Sequence, residues 1–143
     1  MILGRIMPIL LMSGTVAVAA TEVPKTVEKA QNAVRTILQR SEIQEFAQQL
    51  RTDMALGSKL PRPGNKAELE AFLREAAIGQ HDRDVTLDHW EHPLRLEKAN
   101  PKLLVLLSTG VNGERDACAG KDQTDPADDD ICEEIELQPG AFR

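Results

Sequence analysis

Residues 102–137 read KLLVLLSTGVNGERDACAGKDQTDPADDDICEEIEL. Lys102-Leu103-Leu104-Val105-Leu106-Leu107-Ser108 is a continuous apolar run entered from the turn pair Asn100-Pro101. That pattern predicts the central strand of a small sheet. Glu134-Ile135-Glu136-Leu137 alternates charged and apolar residues, as a half-buried strand returning beside it would. Between the two lies a loop holding both cysteines of the chain, Cys118 and Cys132. From Ser108 to Leu137 there are ten acidic residues against two basic ones, Arg115 and Lys121, a local balance of -8 in a chain whose net charge is -6. The remaining residues carry 15 basic and 13 acidic groups and are slightly basic.

Asp128, Asp129 and Asp130 are consecutive, and Asp125, Glu133 and Glu134 are close by. Like charges at that spacing repel unless water screens them or a cation neutralises them. Two readings stand. In one, the oxygens of a loop hold Ca²⁺, which takes six to eight oxygen ligands including main-chain carbonyls. In the other, the segment is a solvated acidic loop, the common fate of charge runs. The cysteines also read two ways. Bridged, they close a loop of about 15 residues, which chain-entropy arguments value at roughly 3 kcal/mol, and they require an oxidising compartment. Unbridged, they are free thiols or a redox pair. Their spacing is not C-x-x-C, so neither a zinc ribbon nor a thioredoxin-type motif is indicated.

The chain has 143 residues, three Phe, one Trp and no Tyr, so one modest domain with a core of Leu, Ile, Val and Ala is expected. The acidic balance argues against a nucleic-acid partner. Residues 1–20, MILGRIMPILLMSGTVAVAA, place one Arg before an apolar run from Ile6 to Ala20 that contains Pro8 and Gly14. The run is short for a membrane span. It ends in Ala17-Val18-Ala19-Ala20, a small-x-small pattern that fits cleavage of an export signal after Ala19 or Ala20. An uncleaved anchor is the competing reading, and either places residues 21–143 outside the cytoplasm.

Residues 26–56 have helical spacing. Val27, Ala30, Val34 and Ile37 form one stripe, and Ile43, Phe46, Leu50 and Met54 a second, slightly out of phase. Ser41-Glu42-Ile43-Gln44 has the form of a capping box, where the helix is expected to bend or restart. The simplest role of the stripes is to pack on the sheet; the alternative is that the part before Ser41 packs against other subunits. Gly57 and Pro61 end the helix. A second helix over 65–78 begins at Asn65 with Glu68 three residues on, buries Leu69, Phe72, Leu73 and Ala76, and stops at Gly79. Val85-Thr86-Leu87 and Leu94-Arg95-Leu96 alternate like strands, which places the sheet and acidic loop over 85–137. Trp90 reads as a core anchor beneath that sheet. His81, His89 and His92 invite a zinc site, but nothing sets ligand geometry there, and ordinary histidines are the expectation. There is no nucleophile elbow and no phosphate loop, so no enzyme is expected.

Three segments, taken in order, resemble major pseudopilins of type II secretion systems. Leu87-Asp88-His89-Trp90-Glu91-His92-Pro93-Leu94 resembles their Asp-Pro-Trp-Gly-x-Pro segment. Ser108-Thr109-Gly110-Val111-Asn112-Gly113 resembles their Ser-x-Gly-x-Asp-Gly turn, and Asp129-Asp130-Ile131 the Asp-Asp-Ile that closes their C-terminal loop. The resemblance covers roughly residues 25–137. It implies an α+β fold, with a long N-terminal helix packed on a small antiparallel sheet, the helix's apolar part in the inner membrane and the sheet domain in the periplasm. It further implies a structural subunit that assembles with other pseudopilins and membrane components of a secretion machine. It also implies a Ca²⁺ in the C-terminal loop, held by the Thr109 and Glu114 carbonyls, the Asn112 side chain and the carboxylates of Asp129 and Asp130. The departures are specific. The start, Met1-Ile2-Leu3-Gly4-Arg5-Ile6, lacks the prepilin cleavage motif and its glutamate. Asn112 stands in place of an aspartate, and His89 and Glu91 flank Trp90 in place of Pro and Gly. The loop from Gly113 to Asp129 is long and carries Cys118, with Cys132 just beyond it. A pilin-like soluble binding domain, released by signal cleavage, is the alternative reading.

Overall fold

A computed structural model of the chain describes residues 7–77, 82–118 and 130–141, with side chains from residue 25 onward. The elements are α1 (Met7–Ala55), α2 (Lys66–Ala76), β1 (Arg95–Asn100), β2 (Leu103–Ser108) and β3 (Ile131–Glu136). The fold is α+β, and its sheet is antiparallel in the order β1-β2-β3. The chain divides into two compact units, Met1–Val34 and Arg35–Arg143. The first is helix throughout its described part.

In the second unit the core lies between the helices and one face of the sheet. Ile43, Phe46, Ala47 and Leu50 of α1 meet Leu69 and Leu73 of α2, and both meet Leu96, Leu104, Leu106, Ile131 and Ile135. The continuous apolar run of β2 is buried on both sides: Leu104 and Leu106 face that cluster, and Val105 and Leu107 are buried too. β2 is central, with β1 and β3 as edges, as its composition predicts. Asn100 shapes the turn before it by accepting the Lys102 N–H on Oδ1. Arg51 of α1 ties the helix to β3, donating to Glu133 Oε1 at 3.0 Å and to the Glu134 carbonyl at 2.7 Å.

Helix ends follow their local chemistry. α1 stops where Gly57 adopts φ +71°, its N–H bonding the Met54 carbonyl while the Ser58 N–H bonds that of Asp53. Asn65 caps α2 by accepting the Glu68 N–H at 3.1 Å. The Glu68 carboxylate does not turn back to Asn65. It takes Arg62 instead, through the backbone N–H and the guanidinium. That pairing lowers the Glu68 pKa to about 2.

Several expectations need correction. The helix does not restart at Ser41, because α1 runs on through it with Ser41 and Gln44 exposed. The two apolar stripes do not share a face. Ile37 and Ile43 are six residues apart, which at 3.6 residues per turn sets them about 120° from each other around the axis. Thr36 and Gln39 are buried in line with Ile43, whereas Val27, Val34, Ile37 and Leu38 are exposed, Ile37 at 61 %. Val85-Thr86-Leu87 is not a sheet strand. Asp84 accepts both the N–H and the hydroxyl of Thr86 and bends the chain, leaving Leu87 a single bridge to Pro93. The sheet therefore begins at Arg95. Trp90 is half-buried and packs on the rim of the core rather than filling it. Ile78, Gly79, His81 and Asp129 lie outside the described residues. Among the described residues no helix is long and apolar enough to cross a membrane.

Candidate functional site

The 87–94 and 108–113 segments meet around a buried carboxylate. Asp88 is 2 % exposed. Its Oδ1 accepts the N–H groups of Trp90 and His92, each at 2.9 Å, so the 88–92 turn folds around it. Its Oδ2 accepts the Ser108 hydroxyl at 2.7 Å, and Ser108 Oγ in turn accepts the Gly110 N–H at 3.1 Å. His92 Nδ1 lies 2.9 Å from the Gly110 carbonyl; a carbonyl only accepts, so Nδ1 carries the proton. The other face of that ring abuts Gly113, where a Cβ would sit 2.7 Å from His92 Nε2 and where φ is +70°. Gly113 is thus required twice, by conformation and by space.

Ser108, Asp88 and His92 do not form a nucleophilic triad. The hydroxyl donates directly to the carboxylate and is fully buried, and the imidazole turns its donor to a carbonyl instead of to Ser108. The arrangement joins turns and holds no reactive oxygen.

A second polar cluster joins α1 to the same turn. Arg83 donates to both carboxylate oxygens of Glu42 and, at 2.7 Å, to the Leu87 carbonyl. The His89 N–H reaches Gln39 Oε1 at 2.9 Å, and His89 Nε2 stands 3.2 Å from Arg83 Nη2 and 3.6 Å from Glu42 Oε2. Burial first, and then the Arg83 charge, push the His89 pKa down. His89 and His92 are therefore each committed to this scaffold, and His81 lies outside the described residues.

The third segment anchors the acidic loop. Cys118 and Cys132 are bridged. The Asp130 N–H bonds the Ala117 carbonyl, and the Asp130 side chain, 0 % exposed, accepts the Asp116 N–H on both oxygens at 3.1 Å and Arg115 Nη1 on Oδ2 at 2.8 Å. Arg115 also donates from Nε to Glu97 Oε2 on β1 at 3.0 Å and to the Asp116 carbonyl. Burial pushes the Asp130 carboxyl up, against the pull of the Asp116 N–H and Arg115. For Arg115 burial opposes the charge, but its hydrogen bonds to Glu97 and Asp130 raise its pKa overall.

Of the calcium ligands that the resemblance implies, Thr109 is buried beside Ser108, Glu114 is exposed, and Asp129 is outside the described residues. Asn112 Oδ1 accepts the Glu114 N–H at 2.9 Å, and its Nδ2 donates to Asp116 Oδ2 at 2.6 Å. The side-chain oxygens of Asn112 and Asp130 are thus already bonded to protein donors, and a guanidinium lies against Asp130. No group of three or more acidic, histidine or cysteine side chains is poised for a metal among the described residues. Sequence reading named Asp88, His92 and Arg115 without their roles as turn-pinning and ion-pairing groups, and it missed Glu97 and Asp116. One signal was present: Arg115 is one of only two basic residues amid ten acids.

Comparison of the chain with protein-family models, with curated proteins and with solved structures finds no match.

Proposed function

We propose that this chain is a structural, non-catalytic subunit of a bacterial envelope assembly, a pseudopilin-like headpiece carried on a long helix. One observation carries the proposal: the apolar residues of α1 are divided between two jobs. Ile43, Phe46 and Leu50 are consumed by the head's own core. Val27, Val34, Ile37 and Leu38 are exposed, between 45 % and 61 %. A run of large apolar side chains left in water on one helix is the usual mark of a protein contact. The α+β head and the meeting of the 87–94 and 108–113 segments support the pilin-like assignment.

The proposed setting is the periplasmic side of the inner membrane, with other pseudopilin subunits and secretion-system membrane components as partners. The second reading, a released soluble binding domain, is favoured by Ala17-Val18-Ala19-Ala20 alone. Sedimentation of the full chain extracted in mild detergent tests the proposal. Assembly should be lost in Ile37→Asp, with the circular dichroism of the head unchanged. A wild-type chain that sediments as a lone monomer, with a mature N-terminus at Thr21, would instead establish the soluble form.

A further inference from the structure

We infer that Arg115 is the built-in counter-cation of the acidic loop's anchored end, and that this end closes on the guanidinium and the Cys118–Cys132 bridge with no divalent metal. The inference does not rest on the assembly proposal; it departs from what the pseudopilin resemblance implies. A fully buried carboxylate is stable only when paired and hydrogen-bonded. Both needs of Asp130 are met from within the chain: the Asp116 N–H serves both oxygens, and Arg115 Nη1 reaches Oδ2 at 2.8 Å.

The guanidinium does more than pair one acid. Its Nε holds Glu97 on β1 at 3.0 Å, so a single planar fork links the far edge strand of the sheet to the residue immediately preceding β3. Asn112 extends the ring by donating to Asp116 Oδ2 at 2.6 Å. A neutral amide at that position gives Asp116 a donor and adds no further negative charge beside Asp130. Arginine stays charged at every working pH and cannot be removed by a chelator. A calcium ion sharing Asp130 would sit beside a fixed like charge.

The test is thermal unfolding of the full, disulfide-intact chain at neutral pH, followed by the fluorescence of Trp90, the single tryptophan. The wild-type midpoint should be the same in chelator and in roughly 10 mM calcium, a concentration above the 10⁻⁴–10⁻³ M range of weak extracellular sites. Arg115→Met should lower the midpoint by about 5 °C or more. Adding Asp130→Asn to Arg115→Met should recover most of that loss, because the orphaned charge is then gone. A saturable rise of about 3 °C or more for wild type in calcium would overturn the inference, since ligand linkage would have revealed a resident site. So would an Arg115→Met midpoint equal to wild type, or a double variant lower than either single one. Should Arg115→Met fail to fold, folding of the double variant supports the inference and its failure refutes it.

Discussion

Replacing Asp88 with alanine should be among the most damaging single changes in the head. Its carboxylate accepts three donors, the Trp90 and His92 N–H groups and the Ser108 hydroxyl, and its side chain is fully buried. Each buried donor left without a partner costs about 1–3 kcal/mol. Trp90 and His92 are only half-buried, so water will relieve part of their loss. The net expectation is about 3–5 kcal/mol, against a total of about 5–15 kcal/mol for a typical domain. Ser108→Ala removes one donor from Asp88 and orphans the Gly110 N–H, for about 2 kcal/mol. Because both substitutions break the same bond, the double variant should be less damaged than the two losses added, by about 1 kcal/mol or more. Urea unfolding followed by Trp90 fluorescence reads this directly, since that indole lies in the turn Asp88 organises. A loss below about 1 kcal/mol for Asp88→Ala, or additivity within about 0.5 kcal/mol, would refute the pinning of the two turns.

Other consequences follow from single contacts. Gly113→Ala forces a Cβ toward His92 and a strained positive φ, and should lower stability by about 1–3 kcal/mol in the same urea assay; Val111→Ala, exposed in the same turn, should change it by less than about 0.5 kcal/mol. Leu106→Ala opens a cavity under the sheet and should cost about 2–5 kcal/mol, with a loss under about 1 kcal/mol contradicting the placement of the core. Glu68 is paired in the fold, so its pKa drops from 4.5 to about 2. A lowered carboxyl pKa supports the fold above pH 4.5 and ceases to do so as pH falls toward 2. A carbon-detected NMR titration should show the Glu68 carboxylate ionised at pH 3.5 in wild type but half-protonated near pH 4 or above in Arg62→Ala; an unchanged midpoint in the variant would argue against the pair.

The sheet was legible because its signals are local and redundant. The run Leu103–Leu107 cannot be half-exposed, and Glu134-Ile135-Glu136 alternates at the period of a strand edge, so β2 as centre and β3 as neighbour follow from composition. The end of α1 and the start of α2 were equally readable, since Gly57 and Asn65 act through their own backbone and side chain. The failures have different causes, some local and some set by partners distant in sequence. Val85-Thr86-Leu87 alternates like a strand, but Asp84 captures Thr86 and turns the chain. The two stripes ending at Ile37 and starting at Ile43 read as only slightly out of phase, whereas these residues lie about 120° apart, and Gln39 and Thr36 take inward positions no hydrophobicity pattern assigns to them. At the candidate site the acids drew notice and the base did not. Arg115 finds Glu97 18 residues back and Asp130 15 residues on, a pairing set by β1 and β3 coming to the same end of the sheet.

The assembly role stands or falls on what touches Ile37. A photo-crosslinking amino acid placed at position 37, and as a control at the exposed polar position Glu45 two turns further along α1, should be irradiated in intact bacterial envelopes making the full chain. Position 37 is expected to yield a discrete adduct, with a second copy or another envelope protein, and position 45 little or none. Equal labelling at both positions, or no adduct from either while the chain remains membrane-associated and folded, would contradict the role.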